Sequence, residues 1–188
     1  PSNGLLRLEM DSEIMEGARL EVGYAIKVQN NSELEYLSEN YYKYGIIEGN
    51  PVTITPNAIV DYLDSDWSFD ANANPDWEAI QKDDPRIDLA DEVMNSTSID
   101  NTTMLYTEAL SGYALRPTES AEVILTVSKL LTTSGDIELD NEAEIVELEK
   151  TGGPTPTSTP GNYVPGTGPN VEGDDGMGET VIVTPNTG

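Results

Sequence analysis

The chain has no cysteine and no histidine among its 188 residues. A thiol nucleophile, a disulfide framework, a typical structural zinc site and every histidine-based catalytic triad are thereby excluded. Basic residues are scarce as well: nine Lys and Arg stand against 35 Asp and Glu, for a formal net charge of -26. Nucleic acids are held chiefly by Lys and Arg on phosphate, and anionic lipid surfaces attract the same side chains. A surface this acidic repels both, so neither nucleic acid nor membrane is an expected partner. No run approaches the roughly 18 consecutive apolar residues of a membrane helix. The opening residues, PSNGLLRLEM, carry no basic, apolar leader and read as the interior of a longer chain.

What is present has the period of two that marks strands. From Leu20 to Val28 the set Leu20, Val22, Tyr24, Ile26, Val28 alternates with Glu21, Gly23, Ala25, Lys27, and the turn signal QNNSE follows. In AEVILTVSKLL, residues Val123, Leu125, Val127 and Lys129 share one face and Ile124, Thr126, Ser128 the other, which predicts a strand more fully covered than the first. Shorter strands are expected over Leu5 to Met10, Tyr41 to Ile46, Pro51 to Ile54, Ala58 to Tyr62, Thr103 to Ala109 and Glu142 to Leu148. Between Pro75 and Met94, DWEAIQKDD and IDLADEVM predict short helical turns, with Asp76 as an N-cap.

After Lys150 the composition changes. From Gly152 to Gly188 there is no Lys or Arg, and Gly, Pro and Thr dominate, so a solvated, polyproline-like stalk is expected. The expectation is an all-β, antiparallel β-sandwich over residues 1–151 with one long, partly helical loop, followed by a disordered tail over residues 152–188.

Four motifs occur in order: YAIKVQNNS, IVDYLDSDWSF, LRPTESAEVILTVSKLL and DNEAEIVEL. Together they resemble the repeat domain of bacterial surface proteins known as "domain of unknown function eleven". Tyr24, Ile26, Val28 and Asn30 match its first motif, and Asp61 and Leu63 its second. Leu115, Pro117, Glu119 and Ser120 match the third, and Asn141, Ala143 and Ile145 the fourth. Thr118 stands where that family has Gly, which suggests a turn with no need of positive φ. The resemblance implies an immunoglobulin-like sandwich serving as a spacer or adhesive unit on a Gram-positive cell surface, without catalytic residues. The final TPNTG is similar to a sortase sorting signal, with cleavage between Thr187 and Gly188 and Val183-Thr184 in place of the usual Leu. Sortase and peptidoglycan are then expected partners, together with an unidentified host or cell-surface ligand.

Several chemistries compete for the remaining residues. Asp61, Asp64, Asp66 and Asp70, with Asn72 and Asn74, offer the hard oxygen ligands that Ca²⁺ takes. Their D-x-x-D-x-D spacing is not that of an EF-hand and lacks its glycine, so solvated loop carboxylates explain them better; no other cofactor is expected. Lys129 and Asn141 share the parity of apolar neighbours, as an internal Lys–Asn isopeptide bond requires, whereas Lys27 lies on a polar face. Trp67, Trp77, Tyr41, Tyr42 and Tyr44 suggest a sugar-stacking platform or ordinary core packing. Among 35 acids, carboxylate pairs suited to glycoside hydrolysis arise by chance. Sequons begin at Asn30, Asn95 and Asn101.

Overall fold

A computed structural model describes residues 6–10, 17, 19–30, 52–131, 137–151, 160–165 and 176–185. Among them are nine strands: β1 (Leu6–Met10), β2 (Arg19–Gln29), β3 (Thr53–Asp64), β4 (Trp67–Phe69), β5 (Glu78–Ile80), β6 (Thr102–Thr107), β7 (Ser120–Leu130), β8 (Ile137–Thr151) and β9 (Gly176–Pro185). One six-stranded sheet has the order β1-β9-β8-β3-β6-β5, and a three-stranded sheet the order β2-β7-β4. All pairs are antiparallel except β1 with β9. The all-β expectation holds.

The alternation read from the sequence decides how the sheets meet. On β3, Ile59 and Leu63 join Leu105, Trp67, Leu125 and Val127 in a core between the two sheets. Ala58, Val60 and Tyr62, one step out of phase, join Met104, Tyr106 and Val146 in a second core on the opposite face of the larger sheet. That second core is closed by Ile80, Val93, Ile99 and Tyr163. Strand β3 is thus buried on both faces, which is why it reads as a near-continuous apolar run.

Strands β2 and β7 pair along their whole length, from Arg19 beside Leu130 to Gln29 beside Ser120. As expected, β7 is the more fully covered of the two, burying Val123, Leu125 and Val127 where β2 buries Val28, while Ile124 remains 52% exposed on the outer face. The two strands expected at Pro51 to Ile54 and Ala58 to Tyr62 are one strand. Proline cannot donate to a ladder, and β3 accommodates Pro56 at a register shift against β8 instead of ending there.

Two local readings change. The DWEAI stretch is not helical: Glu78–Ile80 is β5, paired with β6, and the α-helix of this loop is the single turn α1 (Asp91–Met94). Pairing with β6 buries Ile80, which a solvated helical turn would leave exposed. The disordered tail is also corrected in part. Residues 160–165 lie on the sheet with Tyr163 buried, and Gly176–Pro185 forms β9 between β8 and β1. The physical reason is in the tail itself, where five successive β-branched residues, Thr180 to Thr184, favour a paired strand over solvated coil. Gly161 makes the docking possible: it takes φ 80°, and a Cβ there would stand 2.3 Å from the Asp88 carbonyl oxygen.

Candidate functional site

The four aspartates expected around calcium do not converge. Asp61 shares the inter-sheet face of β3 with Ile59 and Leu63 and is fully buried. Asp64 ends the strand on the exposed side, and Asp66, in the following turn, pairs with Lys129 at 2.5 Å. Asp70 accepts the Asn72 main-chain N–H at 2.9 Å and its side-chain amide at 3.1 Å, which closes a local turn. Among the described residues no group of three or more acidic side chains is placed to hold a metal ion. Parity explains the scatter: residues 61 and 64 are an odd number of steps apart on one strand and point to opposite faces.

Neither tryptophan presents a stacking surface. Trp67 is 6% exposed and Trp77 4%. Trp77 donates its indole N–H to the Ile124 carbonyl at 2.9 Å, and the Asn74 amide exchanges bonds with the Thr126 main chain at 2.8 and 2.7 Å. Strand β4 covers β7 only as far as Val127. These two side chains continue its edge and satisfy groups that an open edge would leave bare. Tyr41, Tyr42 and Tyr44 lie outside the described residues, as do Thr187 and Gly188. Thr184 and Pro185, which open the TPNTG stretch, pair with Glu9 and Met10 in the β1–β9 ladder.

Lys129 and Asn141 are not partners either. Lys129 sits on the smaller sheet with its ammonium on Asp66 and 5.4 Å from the centre of the Trp67 ring. Asn141 sits on β8, in the larger sheet, and gives its amide to Asp61 at 2.8 Å. Shared parity placed both toward the core, but each side chain is committed elsewhere. Lys27 is exposed on β2, beside Glu122 of β7.

What the fold does gather are two polar junctions. At the first, Asn30, 1% exposed, donates its side-chain amide to the Val52 and Leu115 carbonyls, both at 2.9 Å. Its main chain is bonded to Glu119 and Thr118 at 3.0 and 2.8 Å. The end of β2, the approach to β3 and the turn before β7 are thereby tied to one residue. In that turn Arg116 and Glu119 are hydrogen-bonded across Pro117 and Thr118, and Thr118 has φ 74°. Proline followed by a residue of positive φ is a type II turn, which takes glycine at the second place most easily. The inference from sequence that this turn avoids positive φ is therefore corrected. Asn30 is also no glycan acceptor here, since its amide is enclosed.

The second junction is the Asp61–Asn141 pair between the sheets, with Asn141 8% exposed. Burial pushes the Asp61 carboxyl up to about 7; the Asn141 hydrogen bond opposes this, and the Glu142 charge adds to it. On the other face of β8, Glu144, 1% exposed, accepts the Tyr62 hydroxyl and the Tyr163 main-chain N–H, both at 2.9 Å. Burial and the Glu144 charge hold the Tyr62 hydroxyl far above its ordinary range. Glu144 thereby fastens residues 160–165 to the sheet.

Sequence reasoning singled out Asn30, Asp61 and Asn141 as motif positions but gave them other roles, a sequon, a calcium ligand and an isopeptide partner, and it missed Glu144 and Tyr163. An alternating Glu on a half-apolar strand reads as solvated until something covers it. Comparison with protein-family models, curated proteins and solved structures finds no match to this chain.

Proposed function

We propose that this chain is a non-catalytic structural module of an extracellular surface protein, a spacer that carries tension along its own length. The observation behind this reading is the direction of two strands. β1 and β9 lie side by side and run the same way, with Leu6 beside Val181 and Met10 beside Pro185. The chain enters this ladder at one end and leaves it at the other. Tension applied through both ends then acts along the strands and loads the ladder's hydrogen bonds together. Pulling two neighbouring strands from the same end would break those bonds in succession.

The motif order supports an immunoglobulin-like surface repeat, and so does the junction geometry. Motif residues Asn30 and Leu115 meet at the first junction, and Asp61 and Asn141 at the second. Thr118 adopts the conformation that glycine, the family's residue, supplies at least cost. Attachment to a Gram-positive cell wall by sortase acting between Thr187 and Gly188 belongs to the same reading. Such cleavage needs an extended substrate, so the β1–β9 pairing at Thr184 and Pro185 would have to open first. The carbohydrate- or calcium-binding alternative draws less support, because its tryptophans are buried and its aspartates dispersed.

The test is single-molecule force spectroscopy with handles at Pro1 and Gly188, compared with handles at Pro1 and Gly176. The first geometry shears the β1–β9 ladder and the second peels it. A clearly higher unfolding force in the first is expected. Equal forces in the two geometries would remove the basis of the spacer reading.

A further inference from the structure

The buried pair between the sheets has an incomplete set of hydrogen bonds. Asn141 Nδ2 donates to Asp61 Oδ2 at 2.8 Å. The remaining oxygen of each side chain, Asp61 Oδ1 and Asn141 Oδ1, is also buried and meets no donor among the described residues. An ionised carboxylate only accepts, and so does an amide carbonyl. Two enclosed acceptors without a donor are strongly unfavourable among the apolar side chains that line this face.

We infer that Asp61 and Asn141 form a reciprocal acid–amide pair closed by one proton, so that a neutral carboxylic acid joins β3 to β8 inside the sandwich. A proton on Asp61 Oδ1 turns that oxygen into a donor. The Asn141 carbonyl, on the same side chain as the amide already bonded to Asp61, is the acceptor that completes an eight-membered ring. Both unpartnered oxygens are satisfied at once. The inference does not depend on which way the amide is turned. Reversing it sets two oxygens at the 2.8 Å separation, and that contact needs the same proton.

The surroundings favour the neutral form. Within the larger sheet, Leu105 of β6 lies opposite Asp61 in register, and Ala143 of β8 on its other side. Glu142 on β8 opposes ionisation, and Glu179 of β9 stands opposite Asn141 in the ladder. From the smaller sheet the facing rows are Leu20, Val22, Tyr24, Ile26 and Val28 of β2, with Val123, Leu125 and Val127 of β7. The cation on that row, Lys129, is engaged by Asp66. No described cation is among the groups acting on the Asp61 carboxyl.

The pH dependence has a definite sign. The folded-state pKa, about 7, lies above the ordinary value of 3.8. The contribution to stability is therefore fully present below pH 3.8 and is lost as pH rises through about 7. The module takes up a proton on folding anywhere between those limits. It is a device for staying closed in acid surroundings and loosening toward alkaline ones.

The experiment is urea unfolding of the wild-type chain and of Asp61→Asn from pH 4 to pH 8. The general repulsion of a chain with net charge -26 weakens both proteins as pH rises, so the informative quantity is the difference between them. The substitution keeps the shape and a donor but removes the titration. Relative to the variant, the wild-type unfolding constant is expected to rise by up to about a thousandfold across that range. Parallel pH profiles would overturn the inference. A second measurement stands even if the variant fails to fold: ¹³C NMR of the Asp61 carboxyl in the wild-type chain. A midpoint near 7 is expected, and a midpoint near 4 would overturn it. Neither readout depends on the spacer reading, which the force measurement tests separately.

Discussion

The two polar junctions bury the same functional group, an asparagine amide, to opposite effect. Asn30 spends both amide hydrogens on main-chain carbonyls and binds through its own backbone as well. Its partners are neutral and cannot titrate, so its contribution is the same at any pH. Asn141 faces a carboxyl, and that bond is completed only by a proton. An amide against backbone is a permanent tie, whereas an amide against a buried acid is a conditional one. Glu144 is a contrasting case on the reverse of β8, where a buried carboxylate receives donors from Tyr62 and from Tyr163.

This contrast can be broken experimentally. The largest effect is expected from Asn30→Ala, which takes a donor from the Val52 and Leu115 carbonyls, leaving the latter only the Ile54 N–H, and loosens three chain segments together. A loss of about 2–4 kcal/mol is expected in urea unfolding, the same at pH 5 and pH 8. A pH-dependent loss would erase the distinction between the junctions. Asp61→Asn should behave the other way, close to wild type in acid and more stable than wild type at pH 8.

The tail offers a smaller effect. Gly161→Ala places a methyl against the Asp88 carbonyl at a φ of 80°, and about 2 kcal/mol should be lost. Amide exchange should rise at Ala90, whose N–H is bonded to the Gly161 carbonyl at 2.8 Å, and at Tyr163, held by Glu144. Unchanged protection would mean that residues 160–165 do not contribute to the fold. The smallest effect has the opposite sign. Thr118→Gly relieves a β-branched residue at φ 74°, and a gain of about 1 kcal/mol is expected in the same urea measurement.

Much of the architecture was legible because it repeats a simple rule. Strands β2 and β7 announce themselves by alternation, and their inward rows are the ones that pack. Legibility failed where a neighbour distant in sequence overrode local preference. Asp76-Trp77-Glu78 resembles a helix start, but β6 supplies an edge for Glu78–Ile80 to pair with. Pro56 looks like a strand end until β8 accepts it at a bulge. The Gly/Pro/Thr composition of the tail averaged away Tyr163 and the β-branched run from Thr180 to Thr184, the residues that join the sheet.

The candidate site divides in the same way. Composition alone excluded thiol and imidazole chemistry, because those need residue types this chain lacks. Alternation alone put Asn141 in phase with Ala143 and Ile145, whereas Asp61 read as a loop carboxylate. Only the tertiary structure decided that these two side chains meet and that Lys129 turns away to Asp66. Strand parity is a local property of the backbone. Which residue stands opposite, and whether a buried carboxyl finds a cation, an amide or a proton, depends on registers between strands some 80 residues apart.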